Sequence, residues 1–205
     1  MNIANLYNKL KQILIDINIM LENKGFNKVN SLGELPSEIH RLGNIDMFPY
    51  FINGEITDIS SDDLSGVTSI GKRAFFYFKN LKSINIPSSV TIIENQAFNS
   101  CTGLTSVIIP DSVTMIKDSA FMNCTSLQSI NIPSSVTIIE SNAFNTCVKL
   151  RHIYLYSATP PTLESKNGIP SATTTIHVPV GSGNAYKTAT NWSRYADKIV
   201  EDINV

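Results

Sequence analysis

Hydrophobic residues recur every 23 positions through the centre of this chain. When residues 81–103 are aligned with residues 127–149, 17 of the 23 positions are identical. A fixed period of about 20–29 residues is typical of repeat proteins whose units stack, because one unit alone cannot bury its apolar face. The hydrophobic positions that keep this period are Leu81, Leu104, Leu127 and Leu150; Ile84, Val107, Ile130 and Ile153; and Ile86, Ile109, Ile132 and Leu155.

Each unit begins with an alternation of apolar and polar residues that predicts a short strand. Ile84 and Ile86 share one face, while Ser83 and Asn85 share the other. This period of two is that of a β-strand. Pro87 is expected to end the strand, because proline has no N–H to donate to a neighbouring strand. Stacked units should therefore place parallel strands side by side, about 4.8 Å apart.

The remainder of each unit returns to the core. Val90 and Ile93 are expected to enter the core from the returning segment, and Phe98 is expected to fill the space between units from a short turn. The same spacing is present before residue 81, so the array begins upstream of the most regular units. The earlier residues that keep it are Val67, Ile70, Ala74 and Phe75, with Phe78 at the position of Cys101.

Units of the form L-x-S-[IV]-x-I-P-x-S-V-T-x-I-x-x-x-A-F-x-x-C resemble the BspA-like class of leucine-rich repeats. The resemblance covers residues 66–156. It implies an α/β repeat solenoid, which is a leucine-rich repeat fold with a 23-residue period and short parallel strands. It also implies a non-enzymatic recognition surface of the kind found in bacterial surface adhesins and in proteins of phages and prophages. Fold alone does not assign a function.

The C-terminal residues resemble the closing unit of the same family. One more strand is expected around Ile176, followed by a short helix. Tyr186, Trp192 and Tyr195 should cover the open end of the core, because a solenoid needs terminal caps with a polar outer face. Between residues 160 and 174 a loop rich in Pro, Ser and Thr replaces the Val and Ala-Phe positions, so we expect this unit to be degenerate.

The first 20 residues carry an apolar seam with a 3-4-3-4-3 spacing, which is the a/d pattern of a coiled coil. The predicted helix either folds back on the first unit or pairs with copies of itself, and about three heptads are marginal alone. Residues 32–42 resemble segments that precede such repeats in phage tail and virion-associated proteins. We expect a homo-oligomer, or docking into a virion, through residues 1–45. The seam residues are Ile3, Leu6, Leu10, Ile13, Ile17 and Met20.

These patterns divide the chain into an attachment or oligomerisation segment at residues 1–45, the repeat solenoid at residues 46–160 and the closing unit at residues 161–205. Lys and Arg number 16 against 17 Asp and Glu, which gives a net charge of -1. This balance argues against a nucleic-acid partner, since such binding depends on clustered cations. No window approaches a membrane span of about 20 apolar residues, and the N-terminus does not resemble a signal peptide.

Charged residues make up only 16% of the chain, against about 25% in an average soluble domain. In a stack of identical units, a charged position would repeat about every 4.8 Å as a row of like charges. Ser, Thr and Asn are therefore expected to take the surface positions of the solenoid.

The sequence offers little catalytic or metal-binding chemistry. Cys101, Cys124 and Cys147 recur once per unit, which predicts a buried ladder, because zinc sites need paired ligands at close spacing. A disulfide between neighbouring units is the alternative, and it would leave one thiol over. His152 and His177 adjoin no nucleophile motif, so we predict no enzyme, no metal and no cofactor. A buried cluster of histidine with two carboxylates would instead indicate an enzyme.

The outward positions of the strand ladder form the predicted binding face. Its C-terminal end combines His152, Tyr154 and Tyr156. Aromatic anchors with polar neighbours are typical of protein interfaces and also stack on sugar rings. The alternative is that these tyrosines shield the last repeat beneath the loop at residues 160–174. The other outward positions are Ser83, Asn85, Ser106, Ile108, Ser129 and Asn131.

We therefore predict a non-enzymatic recognition or adhesion protein that binds a protein or a cell-surface glycan. The first hypothesis is a phage or prophage virion-associated structural protein, since no signal peptide is recognised and the N-terminal seam suits attachment. The alternative is a secreted or cell-surface bacterial adhesin of the BspA-like class. The expected location is a virion or an extracellular surface.

Overall fold

The computed structural model describes residues 57–64, 67–165, 167–170 and 174–204. These residues form a parallel β-solenoid with a period of about 23 residues, which confirms the predicted fold class. In a full unit the first strand follows the alternating positions of the sequence, and a second strand lies in the returning segment. The predictions for the N-terminal seam and for residues 1–45 lie outside the described residues.

Two rows of short strands run along the solenoid. The first row consists of β1 (Asp58–Ile59), β3 (Ser83–Asn85), β5 (Ser106–Ile108), β7 (Ser129–Ile132), β9 (His152–Leu155), β11 (Thr175–Pro179) and β12 (Ile199–Ile203). The second row consists of β2 (Ser69–Ile70), β4 (Ile92–Ile93), β6 (Met115–Ile116), β8 (Ile138–Ile139) and β10 (Thr162–Leu163). The helices of the described residues are short: the 3-10 helices Asp62–Leu64 and Ser193–Lys198, and the α-helix α1 (Gly183–Thr188). Within the described ranges no helix has the length and apolar character needed to cross a membrane.

Neighbouring strands pair in parallel and align equivalent positions of successive units. Ile84 lies beside Val107 in the first row, and Ile93 lies beside Ile116 in the second. The second row is one sheet, in the order β10-β8-β6-β4-β2. The first row divides into a sheet of β1-β3-β5 and a sheet of β12-β11-β9-β7. The ladder of the first row is therefore interrupted between β5 and β7.

A stack of phenylalanine rings fills the core between units. The rings of Phe75, Phe98, Phe121 and Phe144 follow one another with centroids 5.2, 5.0 and 5.4 Å apart and planes within 8° of parallel. Phe98, Phe121 and Phe144 are completely buried. Burial of each such side chain contributes roughly 1.5–3 kcal/mol. The expectation that Phe98 fills the space between units is confirmed.

The three cysteines form a buried ladder of free thiols. Each thiol donates a hydrogen bond to a phenylalanine carbonyl of the preceding unit; the Cys101 Sγ atom, for example, lies 2.9 Å from the Phe75 oxygen. Burial raises the pKa of Cys101 to about 12. Cys124 and Cys147 make the same contact, at 3.2 and 3.0 Å. The cysteines are therefore part of the hydrophobic core, and no disulfide joins them.

The turn that carries the phenylalanine is more regular than the sequence suggests. In each unit two residues four positions apart have a positive φ, such as Gln96 at 59° and Ser100 at 64°. Between these turns, the backbone N–H of Phe98 donates to the Ala120 carbonyl of the next unit at 2.7 Å. The turns thus add a third row of hydrogen bonds to the two rows of strands. The other left-handed residues of this row are Arg73, Tyr77, Ser119, Asn123, Asn142 and Thr146.

The C-terminal unit closes the solenoid with buried aromatic residues, as predicted. Tyr186, Trp192 and Tyr195 are at most 1% exposed. Their polar atoms donate to the carbonyls of Ser157, Pro161 and Ile169 at 2.8, 2.7 and 2.9 Å, so each polar group keeps a partner in the core. The sequence did not predict β12, which pairs in parallel with β11 and extends the first sheet row.

The unit at residues 160–174 keeps more of the repeat than its sequence suggests. Its strand β10 pairs with β8 and places Leu163 beside Ile139. The N–H of Phe144 donates to the Gly168 carbonyl at 2.9 Å, which continues the third row of hydrogen bonds. Ile169 is buried where the repeat has lost its phenylalanine. The described part of this unit therefore continues the stack although the repeat pattern is lost.

Candidate binding face

The outward side chains of the first strand row form the candidate binding face. In the first sheet Ser83 lies beside Ser106, and Asn85 lies beside Ile108. Ser106 and Ile108 are exposed, while Ser83 and Asn85 are half-buried. The predicted outward positions of these two units therefore share one surface.

The same rows continue in the second sheet. Ser129 lies beside His152, and Asn131 lies beside Tyr154. Ser129, Asn131 and His152 are exposed, and Tyr154 is half-buried. The inward residues between them are completely buried or nearly so. The sequence alternation thus separates a core side from an open side along β3, β5, β7 and β9.

Ile108 is an apolar residue in a row of amides and hydroxyls. Its side chain is 58% exposed, and it lies at the interruption between β5 and β7. Beside it is a shallow depression of about 590 Å³, to which Asn85, Pro87 and Pro110 also contribute. An exposed isoleucine at this place gives a partner an apolar contact amid polar neighbours.

The polar side chains of the returning segment have a different role from those of the face. Ser112 Oγ donates to the Val90 carbonyl at 2.6 Å, and Thr114 Oγ1 donates to the Thr91 carbonyl at 3.2 Å. These hydroxyls bind one unit to the next. In the described part of the chain, no hydrogen bond engages the side chains of the outward residues Asn85, Ser106, Ser129 and Asn131. Their donors and acceptors remain available to a partner.

A polar and aromatic cluster lies at the C-terminal end of the face. His152 Nδ1 lies 3.0 Å from His177 Nε2, and His177 Nδ1 lies 2.7 Å from Asp202 Oδ2. The ring of Tyr154 stacks on that of His177, with centroids 4.3 Å apart. We call these four residues the histidine cluster. Strands β9, β11 and β12 position it, since each contributes outward side chains to adjacent places in the sheet.

The predicted trio of His152, Tyr154 and Tyr156 is placed on one strand and the residue after it. His152 and Tyr154 are ring neighbours, with centroids 6.1 Å apart. Tyr156 is 38% exposed, and among the described residues no ring contact joins it to the other two. Tyr154 is covered by His177 of β11. His152 and Tyr156 are the more accessible members of the trio.

Sequence reasoning did not include His177 and Asp202 in the face. His177 occupies the outward position of β11 directly beside Tyr154, 23 residues further along the chain. The repeat period could therefore have assigned it to the face. Asp202 lies on β12, which follows no repeat pattern, so its approach to His177 depends on a strand that the sequence did not predict.

A carboxylate marks the other end of the face. Asp58 on β1 lies beside Ser83, whose hydroxyl donates to Asp58 Oδ1 at 2.5 Å. Hydrogen bonds from Ser83 and Thr57 lower the pKa of the Asp58 carboxyl. Between Asp58 and the histidine cluster, the predicted outward positions carry no charged residue. The middle of the face therefore presents hydrogen-bonding and apolar groups rather than charge at these positions.

The described residues contain no group of His, Cys, Asp and Glu arranged to hold a metal ion. In the histidine cluster the facing nitrogens bind each other, and the cluster has one carboxylate, Asp202. A buried cluster of histidine with two carboxylates would indicate an enzyme, and this cluster lacks the second carboxylate. Its His152 is also exposed. Its geometry suits the positioning of a hydrogen-bonding group at a surface.

Residues 48–163 match the BspA type leucine rich repeat region, in six copies. This range is more than half of the 205 residues. The chain belongs to this family. The resemblance drawn from the repeats is confirmed for the BspA type leucine-rich repeat region. The match begins at residue 48, so it lends no support to a likeness between the N-terminal segment and phage proteins.

Solved structures similar to this BspA type repeat protein are also leucine-rich repeat proteins. A leucine rich cell surface protein from Faecalibacterium prausnitzii is 23% identical, with a TM-score of 0.50 over 74% of this chain and 36% of that one. A leucine rich repeat protein from T. pallidum is 21% identical, with a TM-score of 0.41 over 71% of this chain and 84% of that one. The chain thus spans about a third of the F. prausnitzii protein, and the similarity between the two shows a shared fold. No curated protein matches the sequence.

Proposed function

We propose that this chain is a non-enzymatic recognition module that binds a partner protein through the outward face of β3, β5, β7 and β9. The observation that carries the proposal is the division of polar side chains. Hydroxyls of the returning segment bind neighbouring units, whereas the side chains of Ser106, Ser129 and Asn131 make no hydrogen bond within the described residues. Exposed Ile108 and the histidine cluster add the apolar and aromatic contacts that are typical of interfaces.

A protein is favoured over a cell-surface glycan by the form of the face. It runs across several units and is open, with Ile108 and Tyr156 exposed at separate places. A wide open surface with scattered apolar contacts suits another protein, while small ligands bind in concave sites that bury most of their surface.

A photo-crosslinking experiment tests this face. A benzophenone amino acid is introduced at Ile108 or at Asn131, and at Thr114 as the matched control, because Thr114 is exposed in the returning segment. The variants are expressed in the bacterium that carries the gene and irradiated. We expect a discrete crosslinked product from Ile108 and Asn131 and none from Thr114. Equal products at all three positions, or a product at Thr114 alone, would contradict the proposed face.

We propose the cell surface as the place where the module acts. The F. prausnitzii protein of similar fold is described as a cell surface protein. Protease treatment of intact cells should then remove the chain, as judged by mass spectrometry of the released peptides. A chain that is degraded only after the cells are lysed would argue against surface exposure.

A phage or prophage virion is the second candidate location. It is favoured by the a/d spacing of apolar residues in the first 20 positions, which suits a helical attachment segment. Mass spectrometry of purified, gradient-banded particles distinguishes the two locations. The chain at constant stoichiometry with the major structural proteins would support the virion, and its absence from the particles would contradict it.

The seam also supports self-association through residues 1–45. The solution mass of the full chain, compared with that of a chain lacking residues 1–45, tests this proposal. A dimer or trimer that becomes a monomer on truncation is the expected result. Monomers in both cases would contradict self-association and favour a helix that folds back on its own chain.

A further inference from the structure

The histidine cluster contains a chain of hydrogen bonds that ends at an exposed imidazole. Asp202 Oδ2 faces His177 Nδ1, and His177 Nε2 faces Nδ1 of His152. His177 is almost fully buried, whereas His152 is exposed. In the described part of the chain, no hydrogen bond engages the remaining nitrogen of His152, its Nε2 atom. A partner that touches the end of the face therefore meets this atom.

Among the described residues, Asp202 is the charged side chain that hydrogen-bonds to the two histidines. On β12, Glu201 instead accepts a hydrogen bond from the Gly181 N–H. Directly before β9, Arg151 donates to the Val148 carbonyl at 3.0 Å. The other side chains on the adjoining strands are uncharged: Ser129 and Asn131 on β7, Tyr154 on β9 and Thr175 on β11.

When both imidazoles are neutral, hydrogen-bonding rules fix the proton positions in this chain of hydrogen bonds. An ionised carboxylate only accepts, so His177 must carry its proton on Nδ1 and present a lone pair at Nε2. His152 must then donate from Nδ1, and a neutral imidazole has only that one proton. We propose that Asp202 and His177 are positioning residues that hold His152 Nε2 unprotonated, so that it accepts a hydrogen bond from a donor on the partner protein.

One additional proton on the pair changes His152 Nε2 from a hydrogen-bond acceptor to a donor. If the proton enters on His152, its Nε2 is protonated directly. If His177 becomes the imidazolium, its Nε2–H donates to His152 Nδ1, and the His152 proton moves to Nε2. In both placements the internal hydrogen bonds persist while His152 changes from acceptor to donor. A partner that needs an acceptor at this end of the face therefore loses the contact when the pair takes up a proton.

Nitrogen NMR of the full chain tests the relay without any partner. The chain has three histidines, and a His40→Gln background leaves only His152 and His177 in a histidine-labelled sample. At pH 7.5 we expect the Nδ1–H form alone at His152, with Nε2 becoming protonated on acidification. His177→Phe keeps a ring on Tyr154 but removes the acceptor, so His152 should become a mixture of both neutral forms.

Two carboxylate variants complete this test. Asp202→Asn should also give a mixture at His152, because an amide both donates and accepts. Asp197→Asn is the control, since it removes a carboxylate that is 73% exposed and paired with Lys198; it should leave His152 unchanged. Unaltered circular dichroism would show that each variant folds. Protonated Nε2 in the parent chain at pH 7.5, or an unchanged His152 in His177→Phe, would overturn the relay.

The role toward a partner rests on the proposed function and needs a separate measurement. The benzophenone amino acid is introduced at Tyr156. The yield of its crosslinked product is compared at pH 7.5 and pH 5.5 in the parent chain and in His152→Gln. We expect the yield to fall roughly tenfold in the parent, as for one lost hydrogen bond, and to stay constant in His152→Gln. A constant yield in both would overturn the partner contact. A confirmed NMR result with equal crosslinks at Ile108, Asn131 and Thr114, or with a crosslink at Thr114 alone, would instead refute the proposed face and leave the relay intact.

Discussion

Phe121 has a phenylalanine ring on either side, at 5.0 and 5.4 Å. Its side chain is fully buried, so truncation would leave a cavity between two units. We expect Phe121→Ala to lower the free energy of unfolding by about 3–5 kcal/mol, the usual cost of such a cavity. Urea denaturation measures the loss. Met122→Ala is the control, because the neighbouring side chain is only half-buried and should cost far less; similar losses would contradict the central place of the ring stack.

Cys101 makes the free energy of unfolding depend on pH in the alkaline range. Burial raises its pKa to about 12 from the ordinary value of 9.0, and it raises the pKa of Cys124 as well. Between these two values the unfolded chain releases the thiol proton while the folded chain retains it, so stability is full below pH 9 and falls as the pH rises. We expect a loss of about 1 kcal/mol from Cys101 alone at pH 10, measured by urea denaturation.

A Cys101→Ala variant should lose part of that pH dependence.

The same burial should protect all three thiols from iodoacetamide at pH 8 in the native state, since the thiolate is the reactive form. After unfolding, three equivalents of label should be incorporated. Labelling of the native protein at the unfolded rate would mean that the cysteine ladder is accessible.

At the scale of the element, Gly103 permits a close approach between two units. A Cβ atom at this position would lie 2.2 Å from the Lys79 carbonyl oxygen, which is backbone and has little freedom to move. The equivalent position one unit later is Ser126, which already carries a Cβ. We expect Gly103→Ala to lower the free energy of unfolding by about 1–3 kcal/mol, and Ser126→Ala to change it by less than about 0.5 kcal/mol. Thermal unfolding compares the two, and equal effects would contradict the clash.

The elements differ in how far the sequence could predict them. Strand β3 was predictable because Ile84 and Ile86 alternate with polar neighbours. The two-residue strand β4 is too short for any alternation to be recognised. The left-handed turns were missed because Gln96 and Ser100 stand where positive φ favours glycine. Contacts between units hold these residues in that conformation, and such contacts are absent from the sequence of one unit.

The candidate site divides in the same way. The rows through Ser106 and Ser129 follow from the repeat period, so their shared surface was predictable. Strand β12 buries only its first and last residues, and its register with β11 shifts between Val178 and Pro179. A period of two cannot identify such a strand. The contact between Asp202 and His177 was therefore beyond sequence reasoning, although both residues were visible in the chain.

For the whole molecule, the parallel rows make each unit depend mainly on its neighbours. Equivalent residues bind across units at the strands, at the phenylalanine stack and at the turns, as in Phe98 N–H to Ala120 O. In such a one-dimensional stack, stability is approximately a sum over units and their interfaces. The units should therefore be removable as long as the phase of the rows is kept.

Deleting residues 104–126 removes one full period and joins Gly103 to Leu127. Phe98 would then stack on Phe144, and Asn85 would lie beside Asn131, so every row continues in phase. We expect a soluble, folded and less stable solenoid, because one interface is lost. Deleting only residues 104–115 is the control: it puts strand positions of one unit against turn positions of the next and should abolish folding. Circular dichroism and urea denaturation compare the two chains, and a half-period deletion that remains folded would contradict the dependence on phase.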